Sequence, residues 1–105
     1  MLVTLPVAEA GFPSPAGDYL EKALDLHRLL VPRPAATFFM RATGDPMVEA
    51  GIWPEDILVV DKSLEPRPNR IVVAVVEGEL RLMRIRAGSE VEVWGVVTAG
   101  IHFMG

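Results

Sequence analysis

Side chains able to act as nucleophiles or bases are few in this chain. The serines are Ser14, Ser63 and Ser89, the lysines are Lys22 and Lys62, the histidines are His27 and His102, and there is no cysteine. Ser63 follows Lys62 directly, but neighbouring side chains on an extended backbone point to opposite faces, so the two do not read as a Ser/Lys dyad. His27 and His102 have no metal-ligand spacing. Asp56 and Asp61 bracket an apolar run and read as the polar ends of a strand. Asp45 has the chemistry of a base, yet its place before Pro46 reads as a helix cap. No phosphate-binding loop, dinucleotide fingerprint or metal motif is present, and no cofactor is expected.

The elements that position these groups centre on Arg41-Ala42-Thr43-Gly44-Asp45-Pro46-Met47-Val48-Glu49-Ala50-Gly51-Ile52. An apolar strand, Thr37–Ala42, leads in. Asp45 as N-cap and Pro46 at the first helical position start one helical turn. Gly51, suited to the left-handed conformation, ends it, and Ile57–Val60 forms the next strand. Leu64–Asn69 is a turn-rich connection. Arg70–Val76 and Glu79–Arg86 flank Glu77-Gly78 as a tight hairpin. In the second of these strands apolar residues mostly alternate with charges, so one face is buried and one is wet. Ala87-Gly88-Ser89 is a turn. Val91–Val97 and Ile101–Phe103 complete the set, with Gly100 as a break. Upstream, Gly11–Gly17 is a Pro/Gly loop. Tyr19-Leu20, Ala23-Leu24, Leu26 and Leu29-Leu30 follow at helical spacing with Asp18 able to cap, and the Asp25–Val31 half reads most clearly as helix until Pro32 and Pro34 end it. Residues 1–10 read as an extended arm ahead of a single domain, 11–105. The fold class is therefore mainly β, a compact curved sheet with short helices.

The 105 residues include no cysteine to build disulfides or thiolate metal sites, and no apolar run approaches the ~20 residues of a membrane span. The segment Met1–Ala10 lacks a basic start and does not read as a signal peptide, so a cytoplasmic protein is expected. A net charge of −4 argues against binding nucleic acid through bulk electrostatics. Arg67, Arg70, Arg81, Arg84 and Arg86 form the one local concentration of positive charge, read as solvated loop and strand faces.

Several stretches resemble UmuD and, more distantly, the C-terminal domain of LexA, in the family of self-cleaving Ser/Lys peptidases. They are Gly11-Phe12-Pro13-Ser14-Pro15-Ala16 with Asp18-Tyr19, Asp25-Leu26 with Leu29-Leu30, Ala36 through Asp61, Ile71–Glu79, and Val93-Trp94-Gly95-Val96-Val97. The resemblance implies a LexA/UmuD-type β domain and cleavage of the bond matching Ala10-Gly11.

It also implies a serine nucleophile in a Gly-Asp-Ser-Met turn and a lysine base on the strand after the hairpin. Here the turn reads Gly44-Asp45-Pro46-Met47, and the position matching the lysine is Met83. Proline has no nucleophile, and methionine fills a lysine-sized slot without accepting a proton. Arg84, next along, stays charged and points to the other side of its strand. Between Ile85 and Val91 the family's additional strands are reduced to a short turn. The expectation is a pseudo-peptidase, not an enzyme, with Ala10-Gly11 as a vestigial cleavage site. Its expected role is dimerisation, with itself or a UmuD-type protein. Its other expected partners are a Y-family translesion polymerase subunit and the RecA filament of the SOS response. The alternative is a self-cleaving peptidase using Thr43 with Asp45, or Ser63 with Lys62.

Overall fold

The computed structural model describes residues 24–44 and 46–105. The expected arm, the Ala10-Gly11 bond and Asp45 lie outside them. Five antiparallel strands form one sheet: β1 (Thr37–Arg41), β2 (Ile57–Asp61), β3 (Ile71–Val76), β4 (Glu79–Arg84) and β5 (Glu92–Ile101). Their order is β1-β2-β5-β3-β4, so the last strand enters the middle of the sheet. The mainly β fold expected from the sequence is what the chain adopts. No helix among the described residues is long and apolar enough to cross a membrane.

A short helix, α1 (Leu26–Leu30), precedes the sheet. The Asp25 carboxylate accepts the Arg28 N–H at 3.1 Å and caps it, and Pro32 follows its end. The connection to β1 passes through a 3₁₀ turn, Pro34–Ala36, and is tied to the end of β2. Lys62 N–H donates to the Ala36 carbonyl at 2.8 Å, and the Arg33 guanidinium meets the Asp61 carboxylate at 2.5 Å.

The hairpin between β3 and β4 turns on Glu77 and Gly78, whose φ angles are 51° and 79°. Two consecutive positive φ values match the right-handed twist of the strands, which is why this two-residue connection is favoured. The β3/β4 pairing continues past the strands, since Asn69 N–H donates to Ile85 O and Ile85 N–H to Arg70 O.

β5 does not break at Gly100. It is one strand from Glu92 to Ile101, with Gly100 paired to Leu58, because pairing along β2 outweighs the weak breaking tendency of a strand glycine. Two irregularities bend it. Val73 pairs with Gly95 but Ala74 with Val93, leaving Trp94 as an extra residue. Val59 pairs with Ala99 but Val60 with Val97, leaving Thr98 as another. Such bulges sharpen twist and re-aim side chains. The first turns Trp94 towards Phe38 of β1, ring centroids 5.2 Å apart and edge-on, with Lys62 Nζ 4.4 Å from the Trp94 centroid.

The sheet has two apolar faces. On one, Ala42, Ile52, Leu58, Val60 and Val73 are buried, with Met40, Met47, Leu82, Trp94 and Val97 packed against them. On the other, Val72, Ala74 and Val96 are buried, with Leu64, Met83, Ile85 and Val93 around them. Val60 is fully buried, and a Cβ built on Gly95 would lie 2.6 Å from its Cγ1. Gly95 therefore lets β2 and β5 approach.

Val60→Ala should cost roughly 2 kcal/mol through lost burial and the cavity left behind. Gly95→Ala should cost about 1–3 kcal/mol through overpacking against the same side chain. Denaturant unfolding of both variants and the double variant should give a combined loss clearly below the sum, because Val60→Ala removes the atom that a methyl group added at Gly95 would strike. Strict additivity would disprove the contact.

Candidate functional site

β1 ends by handing its last backbone groups to the approach of β2. Ala42 N–H donates to Asp56 O at 2.8 Å, and Glu55 N–H donates to Ala42 O at 2.7 Å. Residues 43–54 therefore form a loop closed at its neck. Within it the helical turn is a 3₁₀ turn, Val48–Ala50, preceded by Met47, which offers no side-chain cap. This corrects the sequence reading, which put Pro46 at the first helical position. Pro46 lies ahead of the turn, and its carbonyl accepts Val48 N–H at 3.0 Å. The turn is drawn tight because Ile52 N–H also returns to Met47 O at 3.0 Å. Gly51 ends it at φ 86°, in the left-handed conformation expected of it.

Beside this loop, the end of β1 and the start of β4 border a small cleft of about 100 Å³. Thr43 and Arg41 stand on one side, Leu80 and Leu82 on the other, with Leu58 and Val73 among the lining residues. Leu82 lies in this cleft, alternating with Leu80 along β4, because it pairs with Val73 and shares its face. Met83 pairs with Val72 and packs with Ala74 and Val96 on the opposite face. The two expected catalytic positions thus fall differently in the fold. Pro46 is half-buried in the loop whose Met47 packs on the cleft face, whereas Met83 sits half-buried in an apolar setting across the sheet. A lysine at Met83 would have to bring its amine into that apolar setting. Arg84 lies exposed with a guanidinium N–H on Asn69 O at 2.9 Å.

Of the alternative pairs, Ser63 and Lys62 are not brought together as a working pair, and Thr43 with Asp45 rests on a residue outside the described ones. Ser63 Oγ donates to Asp61 Oδ1 at 2.6 Å and Ser63 N–H donates to the same oxygen at 2.7 Å, while the Lys62 amine lies over Trp94. Thr43 faces the cleft, but the ionisable side chain among its lining residues is Arg41, which stays protonated. The cleft can take a small apolar side chain; among the described residues it presents no nucleophile–base pair.

A pair that sequence reasoning passed over lies next to the loop. His102 Nδ1 is 2.5 Å from the buried Asp56 carboxylate, whose other oxygen accepts Trp53 N–H at 2.8 Å. The signal was the strand register. Ile57 pairs with Ile101, so Asp56 and His102, one step beyond that pair, must be neighbours. The Trp53 N–H, with smaller help from His102, holds the Asp56 carboxyl below its ordinary range against the opposing effect of burial. The Ser63 hydroxyl, then Arg33 and the Ser63 N–H, do the same for Asp61. No cluster of His, Asp or Glu suited to a metal occurs among the described residues.

Because both carboxyls titrate lower in the folded chain than in the unfolded one, their stabilisation is complete above the ordinary carboxylate range near pH 4. It is lost as pH falls through the folded values. Urea midpoints should therefore hold steady on modest acidification and drop below about pH 4. Asp61→Asn should lower the neutral-pH midpoint and flatten that acid dependence. An unchanged midpoint at neutral pH would show that the Arg33–Asp61–Ser63 network contributes nothing to stability.

Comparison with known proteins places the chain. Residues 4–97 match the Peptidase S24-like family. The chain is similar to Protein SamA of Salmonella typhimurium, 43% identical over 89% of this chain and 79% of the relative. It is also similar to Protein ImpA of Escherichia coli, 49% identical over 73% of this chain but only 53% of ImpA. LexA repressor 1 of Xanthomonas oryzae pv. oryzae is 39% identical over 85% of this chain and 45% of the repressor. The chain thus spans about half the length of some of these relatives and most of others. The match runs through the Gly44–Met47 turn, the hairpin and β5 as far as Val97, stretches on which the sequence resemblance rested. The chain is a UmuD-like member of the Peptidase S24-like family, the family of LexA and UmuD.

Proposed function

We propose that this protein is a catalytically inactive UmuD-like accessory factor of the SOS response and translesion synthesis, working through dimerisation and partner binding. The observation that carries the proposal is the pair of substitutions: Pro46 where the family motif places its serine, and Met83 where it places its lysine. A fold that keeps its motif turn but has neither group has no route to an acyl-enzyme by the family's chemistry. The engagement of Ser63 by Asp61 and of Lys62 by Trp94 supports the reading against a replacement dyad.

Surfaces for binding are present at the edges. The edge of β4 that no described strand pairs carries Glu79, Arg81 and Arg84, charges of the kind that discourage edge-to-edge pairing. The outer edge of β1, likewise unpaired among the described residues, instead carries Phe38 and Phe39, the latter 58% exposed, and α1 exposes Leu26 and Leu29. These apolar groups on short elements suit protein contacts. The partners proposed are a second copy or a UmuD-type protein, a Y-family polymerase subunit and the RecA filament.

Purified protein titrated against each should give binding at micromolar concentration with at least one of them, by sedimentation or calorimetry. Absence of self-association together with absence of binding to all three would refute the proposal. Pro46→Ser alone should leave the chain uncut, since no neutralisable lysine reaches the cleft among the described residues. Cleavage by that variant would show that a usable base stands there after all.

A further inference from the structure

Among the described residues β5 is paired on both sides over only part of its length. β2 pairs with it from Val96 to Ile101, and β3 pairs with it from Glu92 to Val96. Beyond Val96, on the side where β3 would continue, no described strand pairs with Val97–Ile101. That edge opens onto a groove of about 450 Å³, whose walls include Gly51, Ile52 and Ile71, with Arg70 and Arg84 at the rim. Among the described residues the groove lining contains no acidic side chain.

The edge is held ready. Thr98 Oγ1 donates to Val59 O at 3.3 Å, Leu29 and Leu30 of α1 border Thr98 and Ala99 across a shared pocket, and the His102–Asp56 contact fixes the chain just past Ile101. Gly100 adds an independent sign. A Cβ there would meet only Leu58, at 3.9 Å, and its φ is not positive, so neither packing nor backbone conformation calls for glycine. A strand glycine marks a bulge, a bend or the close approach of another backbone, and the bulge of this strand falls at Thr98 and not at Gly100.

We infer that Val97–Ile101 is a docking edge for an extended, acidic peptide segment of a partner protein, added as a strand beside β5 with its carboxylates towards Arg70 and Arg84. A ladder of backbone donors and acceptors that no described strand pairs recognises a peptide main chain, while the two guanidiniums select the sign of its side chains. Nucleic acid fits less well, because the described residues of the groove lining include no aromatic ring on which a base could stack. The inference rests on the partner-binding reading of this protein but concerns a different surface from the β1 edge and the exposed face of α1.

The test uses the full chain and an acetylated, amidated peptide alternating glutamate with valine, with alternating lysine–valine and serine–valine peptides as controls. Fluorescence anisotropy should show the glutamate peptide binding best. Arg70→Glu with Arg84→Glu should weaken it about tenfold, the scale expected of two exposed charge contacts. Amide NMR shifts induced by the peptide should centre on Val97–Ile101. The inference is overturned if the lysine peptide binds as well, if the double variant binds undiminished, or if the shifts fall elsewhere. It is equally overturned if oligothymidylate displaces the peptide, or if shifts at Val97–Ile101 arise only from raising the protein concentration, which would make a second copy the occupant. Failure of this test with polymerase binding intact removes only this site; peptide binding without any larger partner leaves it standing.

Discussion

The structure depends on how closely β2 and β5 approach. Val60 projects from β2 into the space that a side chain on Gly95 would fill. That approach buries Leu58, Val60 and Val73 as one apolar layer and places Val72, Ala74 and Val96 on the reverse side. It also coincides with the bulge that turns Trp94 towards Phe38 and Lys62. Because β5 is shared between β2 along one half and β3 along the other, its two bulges adjust two pairings separately. The curved sheet, the cleft beside β1 and the uncovered half of the β5 edge all follow from that division.

Two buried carboxylates tie irregular segments to this sheet. Asp61 gathers Ser63 and Arg33 and so holds the connection from α1 at the end of β2. Asp56 gathers Trp53 and His102 and holds both the neck of the motif loop and the exit of β5. In each case hydrogen bonds to the charged form offset the burial of the carboxylate, which lets a charged group sit where the core demands little exposure. What resembles catalytic equipment by residue type, an Asp–His pair and a serine beside a lysine, is explained by these anchoring roles.

Much of this was legible in the chain. The Glu77-Gly78 turn was readable because two-residue hairpins demand positive φ at both positions, and glycine marks that need. Gly51 was readable for the same reason at a helix end. Gly100 misled because a glycine in a strand and a glycine in a turn look alike without the pairing partner. Pro46 was set too far inside the helical turn, since a 3₁₀ turn of three residues leaves it outside. The bulges at Trp94 and Thr98 depend on the relative register of three strands, which no local signal carries. For that reason it emerged only once the strands were paired that Leu82 rather than Met83 lies on the cleft face, and that Asp56 meets His102. The family motif, by contrast, is local, and its substitutions were visible at once.

The central claim is that a peptidase fold is present without its chemistry. Its most direct test is the intact mass of the purified protein after incubation at alkaline pH, with and without RecA–single-stranded DNA–nucleotide filament. The account expects the same undivided mass in both conditions. A product beginning at Gly11 would contradict it, showing that Pro46 and Met83 do not mark the reacting positions or that another nucleophile has taken their place.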